Sequence, residues 1–232
     1  MKDSDYSAQL PPTYDKVHRH EMFPETTHDE TARFNFITNL NQHLSTVSAG
    51  NRLAYEKRVR PDFQKENGRD FNNRHEVNQA FKSDPYWQTW SALRRNTMEM
   101  RHQAGRSVVL RQINTLNKKA EQLNAGKSTL QLNPEIKSPR YASAVDIHCQ
   151  PGGYHTEICE GDVSVGANYD SGIFVTTTGG VGPMIDGGGR AVAKAVQDKF
   201  PDFKPKRILD VGCTIGHNVL PIAQAYPDAE VI

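Results

Sequence analysis

Cysteine is scarce. Cys149, Cys159 and Cys213 are three thiols in 232 residues, an odd and sparse set that excludes a disulfide framework and fits reduced thiols in a cytosol. No apolar run approaches the ~18 residues a membrane-spanning helix needs. Met1 is followed by Lys2-Asp3-Ser4-Asp5 rather than an apolar stretch, so no secretory leader is read there. An excess of one charge is missing as well. Lys and Arg total 28 against 27 Asp and Glu, which argues against disorder driven by self-repulsion and against a dedicated nucleic-acid binder. The expectation is a soluble, cytoplasmic protein.

Glycine is nearly absent from one part of the chain. Four glycines precede residue 139 and thirteen follow, while 21 basic and 16 acidic residues before it give way to 7 and 11 after it. This predicts a helical N-terminal domain over 27–138 and a loop-rich second part with short strands over 139–232. Residues 1–26, with Pro11, Pro12 and Pro24, read as a flexible arm. Thr27-His28-Asp29-Glu30 has the form of a capping box, followed by an apolar stripe at Phe34, Ile37, Leu40, Leu44 and Val47, with Gly50 as the expected end. A shorter helix is expected over about 72–82. Ser83-Asp84-Pro85 starts another, bent or split at Gly105, whose stripe of Trp87, Trp90, Leu93, Met100, Val109, Ile113, Leu116, Ala120 and Leu123 reads as core packing. Its amphipathic helices also suggest self-association into a homo-oligomer. Val145–His148 and Ile173–Thr178 have strand composition.

The chemistry is concentrated near the C-terminus. Arg207-Ile208-Leu209-Asp210 reads as an apolar strand ending in an acid, Gly212 and Gly216 space the turn that follows, and a helix runs to Tyr226 before a second strand at Ala229–Ile232. A β-carbon at 212 would hold a ligand off the backbone. Free amides on one side and the Asp210 carboxylate on the other suit a zwitterionic amino-acid end. This run, Ile208-Leu209-Asp210-Val211-Gly212 with Gly216, resembles the first motif of class I S-adenosylmethionine-dependent methyltransferases. More faintly, Ser83-Asp84-Pro85-Tyr86 through Pro151-Gly152-Gly153-Tyr154-His155 resembles the helical extension of the ubiquinone/menaquinone-biosynthesis-like group.

The resemblance implies an α/β fold: a mainly helical N-terminal domain and then the β-α-β start of a Rossmann-like sheet. It implies S-adenosylmethionine at Asp210, Gly212, Cys213, Thr214 and Gly216, with Tyr169 of Asn168-Tyr169-Asp170 at the cofactor's amino-acid end. His148, Tyr154 and His155 are the expected substrate residues for a small-molecule acceptor. No catalytic base is identified. The family's ribose-binding acid would follow Ile232, so the chain is expected to be a truncated piece with little activity and no tight cofactor binding. Two other readings stay open, a nicotinamide-dependent oxidoreductase and a non-catalytic helical interaction module. Thr214 stands where a dinucleotide fingerprint has its middle glycine.

The remaining constellations read more simply. His148, Cys149, His155 and Cys159 match no common zinc spacing, so no metal is expected. Gly179–Gly189 lacks the Gly-Lys-Ser/Thr of a phosphate loop and reads as a turn, with Asp186 capping a helix from about 187.

Overall fold

The computed structural model describes residues 10–126, 133, 135–159 and 161–232. Residues 1–9 of the expected arm, and residues 127–132 and 134 of the expected helical domain, lie outside that range.

Local signals place most of the helices. α1 (His28–Val47) begins with the expected box: the Glu30 amide donates to Thr27 Oγ1 at 3.3 Å and the Thr27 amide to Glu30 Oε2 at 2.8 Å. α2 (Ala49–Ala54) continues through a π-helical turn, Tyr55–Val59, into α3 (Arg60–Asn67). Gly50 therefore lies inside a helix instead of ending one, and a β-carbon there would strike the Tyr86 ring. α4 (Arg74–Phe81) precedes the long α5 (Pro85–Leu110), capped by Asp84, whose carboxylate accepts from the amides of Tyr86 and Trp87. α6 (Ile113–Asn124) and the single turn α7 (Arg140–Ser143) follow, then α8 (Ser164–Thr176) and α9 (Gly187–Lys199). α5 passes through Gly105 unbroken, and the split falls at Arg111–Gln112. What Gly105 provides is proximity: a β-carbon would come within 2.3 Å of Asn168 Oδ1 on α8.

The expected α/β class is overturned. About 60% of the described residues are helical. Among the described residues the strands are β1 (Arg207–Ile208) and β2 (Glu230–Val231), two residues each, paired in parallel across α10 (Val219–Ala225). An α-helical class is indicated, and among the described residues a Rossmann-like sheet is not shown. An apolar run makes a sheet core only when both faces are covered, yet Leu209 is 67% and Val211 86% exposed. The two other strand expectations fail as well. Ile147–Cys149 is a 3-10 turn, and Ile173–Thr176 is the end of α8. Strand propensity reports a fit to a half-buried pleated surface. Here Phe174 and Val175 are instead buried against helices.

One main core results, formed by Tyr14, Val17, Phe23, Phe34, Ile37, Ala104, Val108, Phe174, Val175 and Ile185. It draws on both sides of residue 138, so the change in composition does not bound it. Nor does the described part of the arm stand apart from that core. Tyr14 is fully buried and donates its hydroxyl to the Ser171 carbonyl at 2.6 Å. Proline and the lack of a period hid three core residues inside an extended segment. No helix among the described residues is long and apolar enough to cross a membrane.

Candidate functional site

The loop after β1 exposes its main chain. The Asp210 amide continues the parallel ladder, donating to the Ile232 carbonyl at 2.9 Å. The chain then turns through Gly212 (φ 82), Thr214 (φ 53) and Gly216 (φ 93). Positive φ is costly for a β-branched residue and marks backbone held in place by its surroundings. Gly212, Cys213 and Thr214 are exposed, and a β-carbon built on Gly212 meets nothing within 4 Å. Asp210 is half-buried, with Oδ2 sealed from solvent and without a hydrogen-bond partner. A buried carboxylate oxygen left unpaired is unfavourable.

Gly189 holds the loop in register. A β-carbon there would lie 2.3 Å from the Asn218 carbonyl oxygen and 2.8 Å from its Cα, main-chain atoms next to His217. α9 starts at Gly187 as expected, but Asp186 does not cap it through its side chain; its carboxylate accepts from Arg190 Nε at 2.6 Å. Gly189→Ala is expected to lower stability by about 1–2 kcal/mol, overpacking set against the better helix propensity of alanine. At Gly188 the added carbon meets just the Asn218 side chain, at 2.8 Å, and Gly188→Ala should be milder. Equal melting temperatures for the two variants would refute the assigned contact.

Behind the loop lies a cavity of about 630 Å³, lined by the arm (His18, His20, Met22), by Asp162, Val163, Gly166, Ala167 and Asp170, by Met184–Asp186 and Arg190, and by Ile215, His217, Leu220, Pro221 and Gln224. That size and a mostly apolar lining with a few convergent polar groups are those of a small-molecule site. At its wall the buried Asp170 carboxylate lies between two imidazoles. His20 Nε2 is 2.7 Å from Oδ2, and His217 Nε2 is 3.2 Å from Oδ1. Burial pushes the Asp170 carboxyl up, but the two imidazoles outweigh it and hold it below the usual carboxylate range. The same hydrogen bond, opposed by partial burial, raises the His20 pKa. Burial likewise opposes ionisation of Asp162, whose carboxyl is nevertheless held at about 2 by the Ser164 side chain and by the amides of Cys159, Ser164 and Ile158.

The structure divides the residues picked out from sequence into two groups. Asp210, Gly212, Cys213, Thr214 and Gly216 form one loop. Tyr169 is elsewhere: its ring meets Tyr154 edge-on at 6.0 Å, and its carbonyl accepts from Arg101 Nη2 at 3.1 Å. Tyr154 in turn is 2.6 Å from His148 Nδ1, and His155 is exposed beside Gly153. Tyr169 thus joins His148 and Tyr154, and none of these four lines the cavity. The reason is local. With Asn168-Tyr169-Asp170 on a helix, consecutive side chains point about 100° apart, so Asp170 faces the cavity and Tyr169 faces away.

Sequence reasoning missed His20, Asp170 and His217 as a set, because they lie 150 and 47 residues apart and share no motif. The one available signal was Asp170, next to a tyrosine already singled out. Among the described residues no group of three His, Cys, Asp or Glu is disposed to hold a metal ion. No protein-family model, no curated protein and no solved structure matches the chain.

Proposed function

We propose that the chain serves an S-adenosylmethionine-dependent methyltransferase acting on a small-molecule acceptor. The observation that carries this reading is the bare main chain after Asp210, where Gly212, Cys213 and Thr214 are exposed and nothing lies within 4 Å of a β-carbon built on Gly212. The residues present fit the methyl donor. Asp210 would accept from its amino group, and the main chain of Gly212, Cys213, Thr214 and Gly216 would receive its carboxylate end. When bound, the donor supplies an electrophilic methyl group, so the protein's part is to hold, orient and exclude water. The adjoining cavity supplies room for an acceptor.

Backbone-amide NMR of the chain titrated with S-adenosylmethionine at millimolar concentration tests the assignment. Resonances of Gly212, Cys213, Thr214 and Gly216 should move, and Asp210→Ala should weaken the titration about tenfold, the loss of one charge-assisted hydrogen bond. Unmoved loop amides, or an Asp210→Ala variant that titrates like the parent, would end the proposal.

A further inference from the structure

We infer that the cavity behind the glycine loop binds an uncharged, apolar small molecule, and that Gly166 keeps the space for it by carrying no side chain. The inference deepens the methyl-transfer reading by naming its acceptor class, and it rests on that reading for the molecule's role, though not for the binding.

Glycine inside a helix is destabilising relative to alanine, so a helical glycine needs a reason. For Gly50, Gly105, Gly172, Gly187, Gly188 and Gly189 the reason is packing: an added β-carbon would come within 2.8 Å of a neighbouring atom. Gly166, in the first turn of α8, is different. Its nearest contact would be Ile215 Cγ2 at 3.5 Å, an ordinary van der Waals distance, and its φ lies outside the left-handed region. Packing does not forbid a side chain there. Gly166 and Ile215 both line the cavity of about 630 Å³, one from α8 and the other from the glycine loop. What the missing side chain preserves is therefore the space between them, at a size suited to a small molecule.

The lining sets the ligand's chemistry. Met22, Val163, Ala167, Ile185, Ile215 and Leu220 supply apolar surface from four stretches of chain. The charged groups beside them are already committed within the protein. Asp162 accepts from the amides of Ile158, Cys159 and Ser164, Asp170 lies between His20 and His217, and Asp186 accepts from Arg190. Among the described residues Arg190 is the one guanidinium or ammonium on the lining, so an anionic ligand finds no cation to balance it. A cationic ligand would have to displace donors that these carboxylates already hold. The polar side chains left over, those of His18 and Gln224, are exposed to water. A charge carried into the cavity would lose water without gaining a partner, which is costly, whereas an apolar body gains by leaving water.

N-Phenyl-1-naphthylamine, an uncharged probe that fluoresces in apolar surroundings, tests the inference on the full chain. It should bind about tenfold tighter than 8-anilinonaphthalene-1-sulfonate, the same skeleton with one negative charge. 1-Ethylnaphthalene should displace it at about a tenfold lower concentration than 1-naphthylmethylammonium, a cation of similar shape. In methyl spectra of the parent chain, Ile185 and Ile215 should shift with the probe. Gly166→Leu should weaken the probe's binding about tenfold or more and melt no lower than the parent, because its side chain enters free space and suits a helix better than glycine. Charged molecules that bind as well as their uncharged counterparts overturn the inference, as do unmoved Ile215 methyls or a folded Gly166→Leu variant that binds like the parent. A Gly166→Leu variant that melts lower would overturn the role given to Gly166. Loop amides that move with S-adenosylmethionine, without any preference for the uncharged probe, would overturn this inference alone. That preference without loop shifts would sink the methyl-transfer reading and leave the binding site standing.

Discussion

A chain lacking residues 1–26 is expected to fail to fold at 25 °C. Tyr14, Val17 and Phe23 are buried in the main core against Phe34, Ile37 and Phe174, with the Tyr14 and Phe34 ring centroids 4.4 Å apart. Burying each large apolar side chain contributes about 1.5–3 kcal/mol, so losing three removes about 4.5–9 kcal/mol. Deletion also strips the Tyr14 hydroxyl from the Ser171 carbonyl and the His18 amide from the Pro183 carbonyl. Since a domain's whole stability is about 5–15 kcal/mol, the loss is comparable to all of it. Urea unfolding followed by circular dichroism measures this directly. Leu10→Ser serves as a control, because Leu10 is 79% exposed. A deletion variant within about 1 kcal/mol of the parent would show that the arm does not build the core.

Acid should unfold the protein through His102. The side chain is buried in α5, and the Arg101 guanidinium bonds to its ring. Burial first, then the charges of Arg101 and His148, push its pKa from 6.5 down to about 3. The unfolded chain therefore takes a proton below pH 6.5 that the folded chain refuses until about pH 3. Stability is complete above 6.5 and falls as the pH drops, by at most about 1.4 kcal/mol per unit for one proton, and by less to the extent that solvent screens the ring. His20 has the opposite sign. Its pKa is raised by Asp170, so its contribution is present below 6.5 and is lost as the pH rises through its folded value. Urea midpoints between about pH 8 and pH 5.5 separate the two, in a window above the range where most carboxylates titrate. His102→Gln should flatten the acid limb, whereas His20→Gln should steepen it. Parallel limbs for parent and His102→Gln would show that the buried imidazole is not what acid attacks.

The legible parts of the fold are those specified within a few residues. Thr27 with Glu30, and Asp84 before Pro85, start helices because a side chain four or fewer positions away meets an orphan amide. The same holds for the glycine loop, where positive φ at 212 and 216 is a local demand that glycine meets without strain. Misreadings occurred where the partner is distant in sequence. Ile173–Thr178 carries strand composition, yet most of it is helix in a slot between α1 and α5. Gly105 resembles a helix breaker, yet its missing side chain serves the approach of Asn168. Leu209 reads as part of an apolar strand, yet β1 ends at Ile208 and Leu209 lies exposed.

The sequence by itself determined where helices begin, which residues bare their backbone after Asp210, and how weakly charge of either sign prevails. Only the tertiary structure decided that the arm is core, that Tyr169 turns from the glycine loop, and that His20, Asp170 and His217 meet at one cavity. The physical reason is range. Capping and backbone strain act over one turn of chain, whereas burial and hydrogen bonding in the interior depend on which segments pack together.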